Sequence, residues 1–194
     1  ILTDSGDIIS SIVGEGVASI NLGGFWAGSL DGFDGGNGYW FTRSASAEDI
    51  TFQYNAPGGD ARLSSNELPL VPEEYQYAQS TLQGFYFVDA IEVDGEEIND
   101  NNWVLAYNDD VIVGARMWNG SYTDIPAMGN DGTYATVGYM EDGNVPTFKL
   151  VDLDGSMRDL YVSGSIDTWT NNGVEVVTLS TTPVIPEEVS LSDS

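Results

Sequence analysis

The chain has no cysteine and no histidine in its 194 residues. The first absence rules out disulfides and thiol chemistry; the two together remove the usual zinc sites and haem ligation by His. Without His, a Ser nucleophile lacks its standard general base. Basic residues are nearly as scarce, with five Lys and Arg against 31 Asp and Glu, a formal net charge of −26. A chain this acidic does not neutralise phosphates, which argues against nucleic acid and anionic lipid as partners. It fits a protein kept soluble where salt screens self-repulsion, or one neutralised by bound divalent cations. No apolar run approaches the ~18 residues of a membrane span, so membrane insertion is not expected.

What is present is apolar and aromatic material cut up by turns. Hydrophobic residues make up 41% and aromatics 11% of the chain, enough for a packed core. Short runs rich in Val, Ile, Tyr, Phe and Trp are bounded by Gly, Asp, Asn and Pro, which predicts strands. They fall at Phe25–Leu30, Gly38–Arg43, Ile50–Tyr54, Tyr75–Gln79, Thr81–Val88, Ala90–Val93, Trp103–Tyr107, Val111–Trp118, Tyr134–Met140, Thr147–Val151, Leu160–Val162 and Val174–Leu179. Asn108–Asp110 reads as a hairpin turn. In VIVGARMW, Val111, Val113, Ala115 and Met117 alternate with Arg116 and Trp118, the pattern of a half-buried strand. One segment has helical spacing: in DIISSIV, Ile8, Ile9, Ile12 and Val13 recur at i, i+1, i+4 and i+5, with Gly14 and Gly16 as stops and Asp4 or Ser5 as cap. The expectation is therefore all-β, an antiparallel sandwich or jelly roll with one short N-terminal helix and a smaller β-subdomain. The Gly-, Pro- and Ser-rich stretch ending near Pro72 divides residues 1–72, a small β-module, from residues 73–194, a sandwich module with a C-terminal strand or tail.

Candidate chemistry rests on carboxylates and aromatics. Asp31 and Asp34, in DGFDGGNG, and Asp152 and Asp154 with Asp159, in DLDGSMRD, offer oxygen ligands of the kind calcium takes. The first lacks the spacing of an EF-hand loop; the second, with alternating acids, a Gly and a later acid, is the better candidate, but Asp-Gly between two strands is also a hairpin signal, so the turn reading is preferred in both. Adjacent acids such as Glu73–Glu74 do not form a carboxylate pair across a cleft, and the chain is not expected to be an enzyme. Flat exposed rings suit sugar faces. Trp40 and Trp103 read as core, whereas Trp26 and Trp118 remain open as a glycan-binding platform.

Two sets of segments carry a resemblance. IISSIVGEGVAS (8–19), FWAGSL (25–30) and GYWF (38–41) form the first. QSTLQGFYF (79–87), DNNWVLAYNDDVIVGA (100–115), IPAMGNDG (125–132) and GYMEDGNVPTFK (138–149) form the second. Their order resembles a pair of tandem extracellular modules found in secreted repeat proteins of mostly marine bacteria. The resemblance implies an extracellular or cell-surface location and no established catalytic residues. Copies of the second module often have cysteines in the hairpin region; here there are none. Tandem copies also place a strand before the first segment, which this chain lacks at its start. The C-terminal VSLSDS, with Val189 and Leu191 alternating, resembles the lead-in to that strand. The expectation is a structural subunit or repeat whose sheet is completed by an identical subunit or an adjacent repeat. The alternative is an adhesion module that binds glycans or a cell surface.

Overall fold

In the computed structural model, residues 9–44, 68–98 and 101–183 are described. Among them the chain forms strands and two short 3₁₀ turns, Glu73–Tyr75 and Tyr134–Thr136. Four strands build a small sheet: β1 (Ile9–Gly14), β2 (Val17–Asn21), β3 (Trp26–Gly28) and β4 (Trp40–Arg43), in the spatial order β3-β2-β1-β4. Eight build a second sheet: β5 (Gln83–Val93), β6 (Glu96–Glu97), β7 (Trp103–Asn108), β8 (Val111–Met117), β9 (Thr123–Met128), β10 (Thr147–Val151), β11 (Met157–Val162) and β12 (Val174–Ser180).

The all-β class holds, and the second sheet is nearly closed, like a barrel. Its path runs β6-β5-β12-β11-β10-β7-β8, and β9 pairs antiparallel with β5. All its other ladders are antiparallel except β5–β12, which is parallel from Val174↔Phe85 to Ser180↔Glu92. That ladder skips one residue on β5, Asp89, whose carboxylate accepts a 2.7 Å hydrogen bond from the Thr178 hydroxyl. Inside the curl lie Tyr86, Val88, Val104, Ile125, Met128, Phe148, Leu150 and Leu179, all buried. Trp169 closes this core, its indole N–H donating to the Ala127 carbonyl at 2.9 Å. Gly84 and Gly129 leave the space that its ring fills.

The curl closes where β8 meets β9. Pro126 stands opposite Phe85, whose own N–H turns away to the Gly173 carbonyl on the β12 side. Pro126 therefore sits where its missing N–H would face β8 rather than β5, so the β5 ladder loses nothing. On β8, Gly114 lies against the Pro126 carbonyl, which a β-carbon would overlap. Two residues on, Arg116 donates through Nε to the Asp124 carbonyl at 2.9 Å.

Several expectations are corrected. Ile9–Gly14 is a strand, not a helix. Ile12 and Val13, on opposite faces of that strand, are both buried, because it is covered on each side, and two-sided burial erases the alternation that marks a strand. Tyr75–Gln79 and Tyr134–Met140 are not strands; each contributes a 3₁₀ turn and irregular chain. Thr81–Val88 and Ala90–Val93 merge into the single strand β5. The strand β9 goes unforeseen because of its proline. In β8 the register against β7 slips between Ala106 and Tyr107, so Val113 joins the barrel core while Ala115 packs outside with Tyr75, Leu105 and Val151. Trp40 is not core but 57% exposed, and Trp103 is half-buried. The expected strand Ile50–Tyr54, the caps Asp4 and Ser5, and the C-terminal segment with Val189 and Leu191 lie outside the described residues.

Candidate functional site

The small sheet packs one face on the barrel. Val13 and Ala18 meet Phe85 and Phe87, which point out of β5 while Tyr86 and Val88 point in. Beside this apolar contact lies a buried polar cluster. The Gln83 side chain acts as a short piece of backbone: its amide N–H donates to the Gly14 carbonyl at 2.6 Å, and its oxygen accepts from the Gly16 N–H at 3.0 Å. Asp124 is 2% exposed, and its Oδ2 accepts from Ser29 Oγ at 2.6 Å, Ala18 N at 3.2 Å and Arg116 Nη2 at 3.3 Å. The same Arg116 nitrogen reaches the Gly16 carbonyl at 2.8 Å. Arg116, 7% exposed, thus binds both the barrel seam and the small sheet. Burial pushes the Asp124 carboxyl above the ordinary carboxylate range, against the pull of Arg116, Ser29 and the Ala18 N–H. Burial likewise raises the nearby Tyr77 phenol. The cluster fixes the two sheets together and leaves no buried side-chain polar atom unpaired among the described residues.

Sequence reasoning missed this cluster as a site. A signal was available: Arg116 and Asp124 are opposite charges, each inside an apolar strand, and buried charges require partners.

The other face of the small sheet carries the loop that follows β3. Phe41, Ile12 and Ser19 stand in one row across β4, β1 and β2. The loop folds over them, with Phe33 edge-on to Tyr39 at 4.8 Å between ring centroids and 5.8 Å from Phe41. The Tyr39 hydroxyl accepts the Asp34 N–H at 2.8 Å, tying the loop back on itself. A cleft of about 290 Å³ remains between loop and sheet, lined by Ile12, Ser19, Trp26, Leu30, Asp31 and Phe33, with Gly28 and Gly32. The structure thereby brings together Trp26 and Asp31, which sequence reasoning had placed in two different sites.

It separates other pairs. Trp118 is 4% exposed in the barrel core and offers no ring face to solvent, whereas Trp26 is half-buried at the cleft. In the β10–β11 turn, Asp152 accepts from Arg158 Nε at 2.8 Å and Ser156 Oγ at 3.1 Å. Asp154 accepts the Ser156 N–H at 2.9 Å, and hydrogen bonds from Ser156 hold its carboxyl below the ordinary range. Asp159 pairs with Lys149 at 3.2 Å. Each acid thus serves the hairpin, and among the described residues no three acids converge as cation ligands. No helix among the described residues is long and apolar enough to cross a membrane.

No family model, curated protein or solved structure matches the chain.

Proposed function

We propose that the protein is an extracellular structural module that joins identical subunits, or adjacent repeats, by strand addition at β4. The observation that carries this reading is a contrast between sheet edges. The barrel hides its edges by curling, with Arg116 and Gly114 sealing β8 against β9, and β6 is only two residues long. The small sheet, among the described residues, runs β3-β2-β1-β4 without curling on itself. Among the described residues β4 has a ladder on one side only, to β1, and it carries Trp40, more than half exposed. A strand at the end of a sheet's path that carries an exposed aromatic is a place where another strand can be added. The donor is the alternating segment with Val189 and Leu191, and the resemblance to tandem modules supports a shared sheet. A contact of this head-to-tail kind extends into a filament rather than closing.

Trp40→Lys places a charge on the acceptor edge without touching either core. Sizing with light scattering at high salt is expected to show the parent chain as concentration-dependent oligomers and the variant as monomer. If the variant assembles as the parent does, β4 is not the acceptor.

A further inference from the structure

The cleft under the loop after β3 has the chemistry of a ligand site. Its walls are the rings of Trp26 and Phe33, and its floor is aliphatic, from Ile12 and Leu30. Here the loop is braced from behind, by Phe33 on Tyr39 and Phe41 and by the Asp34 N–H on the Tyr39 hydroxyl, so it stands away from the sheet. At about 290 Å³ the space lies at the lower end of ligand pockets.

Among the side chains that line it, Ser19 and Asp31 present acceptors and Trp26 an indole N–H. Ser19 Oγ donates its proton to the Ala27 carbonyl at 2.9 Å, so towards a ligand it offers lone pairs. Asp31 is a carboxylate, an acceptor when ionised. No Lys or Arg lines the cleft. An occupant that engages Asp31 and Ser19 therefore brings hydrogen-bond donors and an apolar face, and an anion is disfavoured beside a chain of net charge −26. From this we infer that the cleft binds a neutral saccharide, one pyranose ring with its C–H face against Trp26 and hydroxyls donating to Asp31 and Ser19. The aliphatic floor and the neutral Ser19 hydroxyl favour a polyhydroxylated ring over a compact cation, which would want aromatic faces around it. The inference does not depend on strand addition at β4, because the loop covers the row of Ile12 and Ser19, whereas Trp40 stands on the opposite face with Val13.

The test is a ¹H–¹⁵N spectrum of the whole chain titrated with methyl β-D-glucopyranoside, methyl β-D-galactopyranoside and methyl α-D-mannopyranoside. Tetramethylammonium chloride and sodium chloride serve as separate arms. Of the five indole signals, Trp26 alone is expected to shift saturably with at least one glycoside, together with the amides of residues 28–33. Trp26→Ala should weaken binding tenfold or more, with the other indole signals unmoved. Asp31→Asn, at an exposed position, should weaken it several-fold and guards against a fold defect in the first variant. No saturable shift with any of the three glycosides overturns the inference. So does saturation by tetramethylammonium alone, or binding unaffected by both variants.

Discussion

Asp124→Ala is the sharpest test of how the two sheets are held together. The carboxylate accepts from the Ala18 N–H of β2, the Ser29 hydroxyl beyond β3 and Arg116 of β8. Removing it leaves a guanidinium only 7% exposed with no ionic partner, and strands the Ala18 N–H and the Ser29 hydroxyl. Breaking a buried ion pair from one side costs about 3–5 kcal/mol. Against a total stability of roughly 5–15 kcal/mol, that loss brings the fold near its limit. Asp124→Asn is the gentler probe: it keeps an acceptor oxygen, removes the charge, and should cost about 1–3 kcal/mol. Urea unfolding of both variants, with hydrogen exchange read separately on β1–β2 and on β10–β11, locates the loss. The small sheet should open first, with β10–β11 protection falling less. If both variants lose under ~1 kcal/mol, or if β10–β11 opens first, the cluster does not carry the docking.

Three further outcomes follow from the same structure. Gly114→Ala places a β-carbon on the Pro126 carbonyl, and since both sides are backbone it should cost ~3 kcal/mol, the upper end of overpacking; a thermal melt unchanged from the parent contradicts the tight seam. Asp131 and Asp124 should show opposite pH behaviour. Hydrogen bonds from Thr136 and Thr133 hold Asp131 below its unfolded value, so its contribution is present above about pH 3.9 and is lost as pH falls; burial holds Asp124 above that value, so its ionisation opposes the fold as pH rises. The stability deficit of Asp131→Asn should shrink on acidification and that of Asp124→Asn should grow, and the reverse order in urea titrations refutes the assignment. Finally, with −26 charges self-repelling, the melting temperature should climb with sodium chloride, and calcium at matched ionic strength should add nothing traceable to Asp152, Asp154 and Asp159, as Asp154→Ala will check.

The strands with one wet face or a clear turn were legible. Thr147–Val151 forms as expected, and the turn at Asn108–Asp110 opens β8 where the hairpin signal puts it, although the slip beside Val113 exchanges the faces of that strand. The segments that misled are those whose surroundings come from far along the chain. Ile9–Gly14 carries spacing that suits a helix because its two faces are buried by different partners, the barrel on one side and the loop with Phe33 on the other. Thr123–Met128 is hidden by Pro126, which is tolerated only because the neighbouring strand on that side is β8, met without a ladder among the described residues. The parallel pairing of β5 with β12 joins positions about ninety residues apart, which no local pattern encodes. The cleft illustrates the same limit. Trp26 and Asp31 each drew attention for a different chemistry, and only the fold of the loop over Ile12 and Ser19 puts them in one cleft.

The central claim, assembly by strand addition at the small sheet, is tested most directly by negative-stain images of the whole chain at high salt beside a variant lacking residues 187–194. Strand addition predicts filaments or linear oligomers for the whole chain and single particles for the truncated one. Single particles for both, or filaments for both, would contradict it.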